Sequence, residues 1–223
     1  MPVEHEDGVS VPAAPDALVF DLDGTLWDTC AACATAWNRV LARLGIPFRQ
    51  ITAADVRAVA GQPHAEGIAR VFAGRPAGEI AAIASATAEE DNREIAAHGG
   101  LLYPGVAELV PRLAARLPLA IVSNCQQGYV EIFLATSGLG GCFRDFECWG
   151  NTGAAKADNV RALVRRNGFL RPWLVGDTNG DRQAASEVGL HFVHACYGFG
   201  RVAAPDDAIE QFADLGPLLG IPF

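Results

Sequence analysis

Short apolar runs alternate with longer amphipathic stretches along most of the 223 residues. The apolar runs are partly β-branched, as is typical of buried strands; they cover residues 17–20, 119–123, 173–176 and 191–195, with 146–148 as a short further strand. Stretches with helical character lie between them at about 106–116, 127–136 and 155–166, and another begins near Asp181. This alternation predicts right-handed crossovers, a mostly parallel sheet and therefore an α/β sandwich.

The segment 29–100 breaks this rhythm because it contains no convincing strand. One face of a first helix is apolar at helical spacing, and it consists of Trp37, Val40, Leu41 and Leu44. Thr52 is a candidate N-cap for a second helix, and residues 77–100 predict one long Ala-rich helix or a helix pair. An all-helical insert is therefore expected just after the first strand.

These patterns predict three parts of the chain. Residues 1–16 contain several Pro, Glu and Asp residues and are expected to form a flexible tail. Residues 29–100 would form a small all-α domain, and residues 17–28 and 101–223 would form the α/β core domain.

Composition narrows the choice of partners. A net charge of -9 disfavours a nucleic-acid groove or an anionic membrane surface as the main partner. No apolar run approaches the roughly 18 residues of a membrane span, and the N-terminus lacks the features of a secretory signal, so a cytoplasmic protein is the default expectation. Cys30 and Cys33 form a C-x-x-C, for which core packing is favoured over a redox or metal site.

Polar residues gather at four points, each at the carboxyl end of a predicted strand or just before a helix. They are Asp21 and Asp23 in "DLDGT", Ser123 and Asn124 after "LAIV", Lys156, and Asp177 and Asp181 in "GDTNGD". Ligands of open parallel sheets bind at this edge. A lysine in the first turn of a helix opposes the macrodipole by roughly 0.3–1 kcal/mol, so Lys156 indicates a role other than helix stability.

Carboxylates that converge at one edge would repel each other unless a cation were present. Mg²⁺ prefers oxygen ligands and could offset this repulsion. Carboxylates, Mg²⁺ and a lysine together suit phosphoryl transfer, and an aspartate can attack phosphorus to form an aspartyl-phosphate.

The ordered set of motifs resembles the haloacid dehalogenase-like (HAD) hydrolase superfamily. "DLDGT" is similar to its first motif, "SN" to its second, Lys156 to its third and "GDTNGD" to its fourth, over about residues 17–200. The helical insert resembles the family's helical cap of the first type, and the phosphoglycolate phosphatase and β-phosphoglucomutase branch is the most similar. The resemblance implies a Rossmann-like core and a phosphatase that acts on a small phosphorylated metabolite.

The resemblance also implies a role for each matching residue. Asp21 would be the nucleophile and Asp23 the general acid and base. Mg²⁺ would bind the Asp21 and Asp177 side chains and the Asp23 backbone carbonyl, with support from Asp181. Ser123 and Lys156 would hold the phosphoryl group, together with backbone N–H groups near Leu22 and Asn124.

The cap is expected to close over the site, and the "AGQPH" segment resembles its substrate loop. Gly61 and Gln62 are candidate specificity residues, whereas a helix–helix turn is the favoured interpretation for His64. Ser123 stands where many phosphoglycolate phosphatases have threonine, and Ala157 stands where they have proline. These departures leave the substrate open. A monomer is the default, with a dimer as the alternative.

Several alternatives remain. A 2-haloacid dehalogenase needs no Mg²⁺ and lacks the second aspartate, so Asp23 argues against it. A phosphonatase needs a cap lysine, and residues 29–100 contain none. A sugar-phosphate mutase stays possible, although Thr25 leans weakly toward a phosphatase. A catalytically silent binding protein is the alternative outside the enzymes.

Overall fold

The computed structural model describes residues 14–221, which contain eight strands and ten helices. The strands are β1 (Leu18–Phe20), β2 (Trp27–Asp28), β3 (Leu101–Leu102), β4 (Leu119–Ser123), β5 (Phe143–Cys148), β6 (Trp173–Gly176), β7 (His191–Ala195) and β8 (Asp207–Ile209). The helices are α1 (Cys30–Leu44), α2 (Ala53–Arg57), α3 (His64–Val71), α4 (Ala77–His98), α5 (Val106–Ala114), α6 (Tyr129–Thr136), α7 (Trp149–Thr152), α8 (Lys156–Asn167), α9 (Asn179–Val188) and α10 (Leu215–Leu218).

Six strands form one parallel sheet in the order β5-β4-β1-β6-β7-β8. The first strand lies inside the sheet, between β4 and β6, with Leu18 opposite both Leu119 and Trp173. The predicted strands are therefore confirmed, and the short 146–148 strand extends back to Phe143 because it pairs with β4 along that length.

Apolar side chains pack on both faces of the sheet. Alternate residues of β1 point to opposite faces, so Leu18 and Phe20 belong to one core and Val19 to the other. The first core takes residues from α5 and α6, while the second takes Val160 of α8 and Ala185 of α9. Helices on both sides of a parallel sheet confirm the α/β three-layer fold.

Residues 30–98 fold into α1 to α4, and no strand lies among them. The left-handed Gly45 ends α1, and the Thr52 side chain accepts a hydrogen bond from the Asp55 backbone N–H, as a capping box requires. The 77–100 segment is a single helix. Leu44 is 40% exposed, contrary to its place in the predicted apolar face, because it is the last residue of α1.

The antiparallel pair β2 and β3 joins the two ends of this helical segment. The division of the chain into a cap and a core remains a prediction. Most of the predicted tail, residues 1–13, lies outside the described residues, but the Asp16 side chain accepts hydrogen bonds from the backbone N–H groups of Leu170 and Arg171 at 2.6 and 2.9 Å. None of the helices within residues 14–221 has the length and hydrophobicity of a membrane span.

Candidate active site

The first motif leaves the sheet at its carboxyl edge. The backbone N–H of Asp21 donates to the Val175 carbonyl at 2.9 Å, which extends the β1–β6 ladder by one residue. Gly24 then turns the chain with a φ of +91°, and a Cβ there would lie 2.3 Å from Asp177 Oδ2. A glycine is required at this position both for the backbone and for the close approach of Asp177.

Three carboxylates meet beside this turn. Asp21 follows β1, Asp177 follows β6, and Asp181 lies in the first turn of α9, where its carboxylate accepts hydrogen bonds from the N-cap Thr178. One oxygen of each of the three lies within 4.8 Å of the others, and all three residues are buried. The sequence reasoning thus identified three side chains that the fold brings together.

The oxygen donors of this cluster fit a hard divalent cation. Asp177 Oδ2 accepts from the Phe199 backbone N–H at 2.6 Å, while Asp177 Oδ1 is buried without a hydrogen-bond partner among the described residues. A buried oxygen without a partner costs free energy, and a bound Mg²⁺ would satisfy it.

Lys156 reaches the same cluster from the first residue of α8. Its ammonium hydrogen-bonds Asp21 and lies 2.5 Å from Asp181 Oδ1, and the residue is 8% exposed. It is the only lysine in a chain that otherwise uses arginine for its basic residues. A compact point charge on a flexible stem is what this position requires, and a planar guanidinium does not provide it.

Burial and the charge of Lys156 are the two largest influences on the pKa values of Asp21 and Asp181. Burial raises the pKa of Asp21 well above its usual range, against the attraction of Lys156. Burial, with the neighbouring Asp181, raises the pKa of Asp177 to about 7. For Asp181, the charge and hydrogen bond of Lys156 overcome burial and lower the pKa. Three carboxylates against one ammonium leave two negative charges when all are ionised, which a divalent cation would balance.

Asp23 stands apart from the three carboxylates. Its side chain accepts a hydrogen bond from Tyr129 at 2.7 Å and one from Thr29 at 3.3 Å. Desolvation raises its pKa to about 6, although both hydroxyls favour the charged form. A carboxyl group with this pKa can both give and take a proton near neutral pH.

Most of the remaining predicted residues line a cavity that Asp21 and Asp23 also line. Ser123 and Asn124 line it from the end of β4, and Gly61 and Gln62 line it from the helical segment. The Asn124 side chain donates to the Gly61 carbonyl at 2.8 Å, so it joins the two sides of the cavity. Leu22 is fully buried behind the first motif.

His64 of the "AGQPH" segment is the first residue of α3 and lines the cavity. Three other lining residues are not predicted by any motif: Tyr129 and Thr29, which hold Asp23, and Asp91 of α4. Nothing in their local sequence marks them, because they reach the cavity through long-range packing. The sequence does contain a pattern that predicts Thr178 as an N-cap, because Thr178 precedes Asp181 by three residues just as Thr52 precedes Asp55.

The fold and the acidic cavity at the carboxyl edge of the sheet define the class as a Rossmann-like α/β enzyme. The family model described as haloacid dehalogenase-like hydrolase matches residues 18–195, and the chain belongs to this family. The resemblance read from the four motifs is thereby confirmed.

The curated relatives include phosphoglycolate phosphatases. The protein from Rhodospirillum rubrum is 28% identical and the one from Escherichia coli (strain K12) is 29% identical; the alignments cover 93% and 92% of this chain and 92% of each relative. These similarities and the family match confirm a HAD-like phosphatase at the level of enzyme class.

Solved structures share the fold. A haloacid dehalogenase-like family hydrolase from Streptococcus pneumoniae superposes with a TM-score of 0.79 at 21% identity, over 90% of this chain and 96% of that one. CbbY from Rhodobacter sphaeroides, in complex with xylulose-(1,5)bisphosphate, superposes with a TM-score of 0.74 at 26% identity, over 91% and 96% of the two chains.

Proposed function

We propose that this protein is a Mg²⁺-dependent phosphatase that hydrolyses a small organic phosphate monoester through an aspartyl-phosphate on Asp21. The observation that carries the proposal is the buried contact of Asp21 with the sole lysine, inside a cluster of three carboxylates of which Asp21 lines a cavity. The phosphatase relatives and the sugar bisphosphate bound to CbbY support a small phosphorylated substrate.

Mg²⁺ would be held by the carboxylates of Asp21 and Asp177 and the Asp23 backbone carbonyl, with Asp181 in support. When bound, it supplies positive charge that neutralises the oxygens of the phosphoryl group. Lys156 and the Ser123 hydroxyl hold the same group from the other side. Desolvation by burial lowers the pKa of Lys156, but the charges and hydrogen bonds of Asp181 and Asp21 outweigh this effect and raise that pKa, so the ammonium stays charged and suits this task.

In the first half-reaction, a carboxylate oxygen of Asp21 attacks phosphorus and forms a P–O bond. The bond from phosphorus to the ester oxygen breaks, its electron pair stays on the leaving oxygen, and Asp23 donates a proton to that oxygen. An alcohol leaves, and the phosphoryl group remains on Asp21.

In the second half-reaction, Asp23 takes a proton from a water molecule as its oxygen attacks phosphorus. The bond from phosphorus to Asp21 breaks, which restores the Asp21 carboxylate and releases inorganic phosphate. Tyr129 and Thr29 hold the Asp23 carboxylate in one orientation for both transfers. Helices α1 to α4 act as the cap that limits the access of bulk water.

The test is phosphate release from an aryl phosphate and from small phosphate monoesters, with Mg²⁺ and with EDTA. Asp21→Asn should retain the fold and lose at least about 10³-fold in kcat. Glu108→Gln makes a carboxylate-to-amide change on an exposed residue of α5 and should match wild type. Undiminished turnover by Asp21→Asn, or by wild type in EDTA, would refute the mechanism. Transfer of phosphate between sugar carbons without release would favour a mutase.

A further inference from the structure

The cavity has a second polar end, away from the acidic cluster. Asp91 of α4 is 2% exposed there; its Oδ2 accepts a hydrogen bond from Trp37 Nε1 at 3.0 Å and lies 3.8 Å from His64 Nδ1. Its other oxygen, Oδ1, is buried and accepts no hydrogen bond of ordinary geometry among residues 14–221, although the Cys33 thiol is close enough to favour the charged form of Asp91. Asp91 lines the cavity, and a buried carboxyl group with an unsatisfied oxygen gains free energy when a ligand hydroxyl supplies the missing hydrogen bond.

The same end of the cavity carries no positive charge. The lining residues that the structure describes include Asp21, Asp23 and Asp91 but no lysine or arginine, and residues 1–13 and 222–223 contain neither type. His64 is the one basic side chain, and burial lowers its pKa to about 4, so it is neutral at pH 7.

Arg57 approaches the lining from outside. Its guanidinium lies 5.3 Å from the ring centroid of Phe199 and donates to Asp28 at 2.6 Å. Because this guanidinium already has a carboxylate partner, a ligand carboxylate would have to compete with Asp28 for it.

From this geometry we infer that the substrate's leaving alcohol is a neutral polyhydroxylated group whose distal hydroxyl donates to Asp91, and that a leaving group with a carboxylate is disfavoured. The inference rests on the proposed phosphatase function and assigns its substrate class. A carboxylate bound beside Asp91 would be desolvated with no lysine or arginine in the cavity lining to pair it. A site built to bond a hydroxyl also discriminates strongly against ligands that lack it.

The ionisation of Asp91 supports a neutral partner over a cationic one. Desolvation raises its pKa to about 8, despite the hydrogen bond from Trp37. At pH 7 the group is mainly a neutral acid, which pairs with a hydroxyl without burying a net charge. An ammonium would instead have to be buried beside a carboxyl that is not ionised.

Two matched pairs of esters test this assignment. Glycerol 3-phosphate and 3-phosphoglycerate differ only by a hydroxymethyl group against a carboxylate, and so do 2-hydroxyethyl phosphate and 2-phosphoglycolate. In each pair, kcat/KM should be at least about tenfold higher for the hydroxyl ester, the ratio that one net hydrogen bond of about 1.4 kcal/mol provides. Equal or faster turnover of the carboxylate ester, or of phosphoethanolamine, would overturn the inference.

Substitutions at Asp91 test whether this residue causes the preference for hydroxyl esters. Asp91→Asn keeps a neutral hydrogen-bond donor and acceptor and should retain the preference for hydroxyl esters. Asp91→Leu places an apolar side chain of similar size there, and it should lower kcat/KM for glycerol 3-phosphate about tenfold, mainly through a higher KM. Methyl phosphate lacks a distal hydroxyl, so its kcat/KM should fall less than that of glycerol 3-phosphate in Asp91→Leu. Glu89→Gln, on the exposed face of the same helix, is the control. A preference that survives Asp91→Leu would refute the role of Asp91.

A binding measurement distinguishes failure of the proposed substrate class from failure of the proposed phosphatase function. Asp21→Asn protein with Mg²⁺ should show a larger rise in Tm with glycerol 3-phosphate than with 3-phosphoglycerate, without any turnover. If the aryl phosphate is hydrolysed but neither pair discriminates, the substrate class is wrong and the phosphatase stands. If no ester is hydrolysed and none raises Tm, both proposals fail.

Discussion

Lys156→Met tests how much the charge of Lys156 stabilises the folded protein through the buried carboxylates of the candidate site. Methionine keeps an apolar stem of similar length but removes the charge, so the buried carboxylates of Asp21 and Asp181 lose their common partner. Loss of one partner from a buried ion pair typically costs about 3–5 kcal/mol. For a chain of this length, that corresponds to a fall in Tm of about 6–20 °C.

The assay is urea unfolding followed by circular dichroism in EDTA, at pH 7. Arg161→Met is a matched control on the same helix, because Arg161 pairs with the exposed Asp158 and its side chain is 53% exposed. An exposed pair contributes at most about 1 kcal/mol. The reasoning would be refuted if Lys156→Met lost no more stability than Arg161→Met.

Magnesium supplies a second readout on the same variant. All three carboxylates remain in Lys156→Met, so a divalent cation that binds the native state should stabilise it by about 2.7 kcal/mol at 100 times its Kd. The Kd should be lower than in wild type, because the ammonium no longer repels the cation. Stabilisation of neither protein by Mg²⁺ would contradict the assigned metal site.

Three further results are expected. Asp177→Asn should raise the Mg²⁺ concentration needed for half-maximal turnover at least about tenfold, with little change in the Kd for phosphate ester, because the variant loses one carboxylate of the buried cluster. An unchanged Mg²⁺ titration would count against the ligand role of Asp177. Gly24→Ala should lower both activity and the free energy of unfolding, the latter by about 1–3 kcal/mol, because its Cβ would lie 2.3 Å from Asp177 Oδ2 at a φ of +91°; wild-type values in both assays would contradict that steric argument. The pKa of Asp91 is about 8 in the folded state and about 3.9 unfolded, so its contribution to stability is full below pH 4 and is lost as the pH rises through 8. The free energy of unfolding of wild type should therefore fall with pH between those limits about 1.4 kcal/mol per pH unit more steeply than that of Asp91→Asn. Urea unfolding at several pH values measures this difference, with Glu89→Gln as the control. Parallel pH profiles for wild type and Asp91→Asn would disprove it.

The order of apolar and polar residues along the chain by itself determined the main strands and several candidate site residues. Apolar runs of four or five residues predicted β1, β4, β6 and β7 almost to the residue. Because the carboxyl ends of parallel strands share one edge of a sheet, the polar residues that follow those runs had to lie near each other. For this reason Asp21 and Asp177 could be found before any contact was known, and Lys156 was found from its place in the first turn of a helix.

Packing between distant segments decided the rest. Tyr129 reaches Asp23 across 106 positions of the chain, and Trp37 reaches Asp91 across 54. No local pattern marks such partners, because a hydroxyl or an indole N–H on a helix has the same sequence signature whether it faces solvent or a cavity. The chain order could therefore place the carboxylates of the proposed active site, but the lining that Trp37, His64 and Asp91 contribute depends on how α1, α3 and α4 pack together.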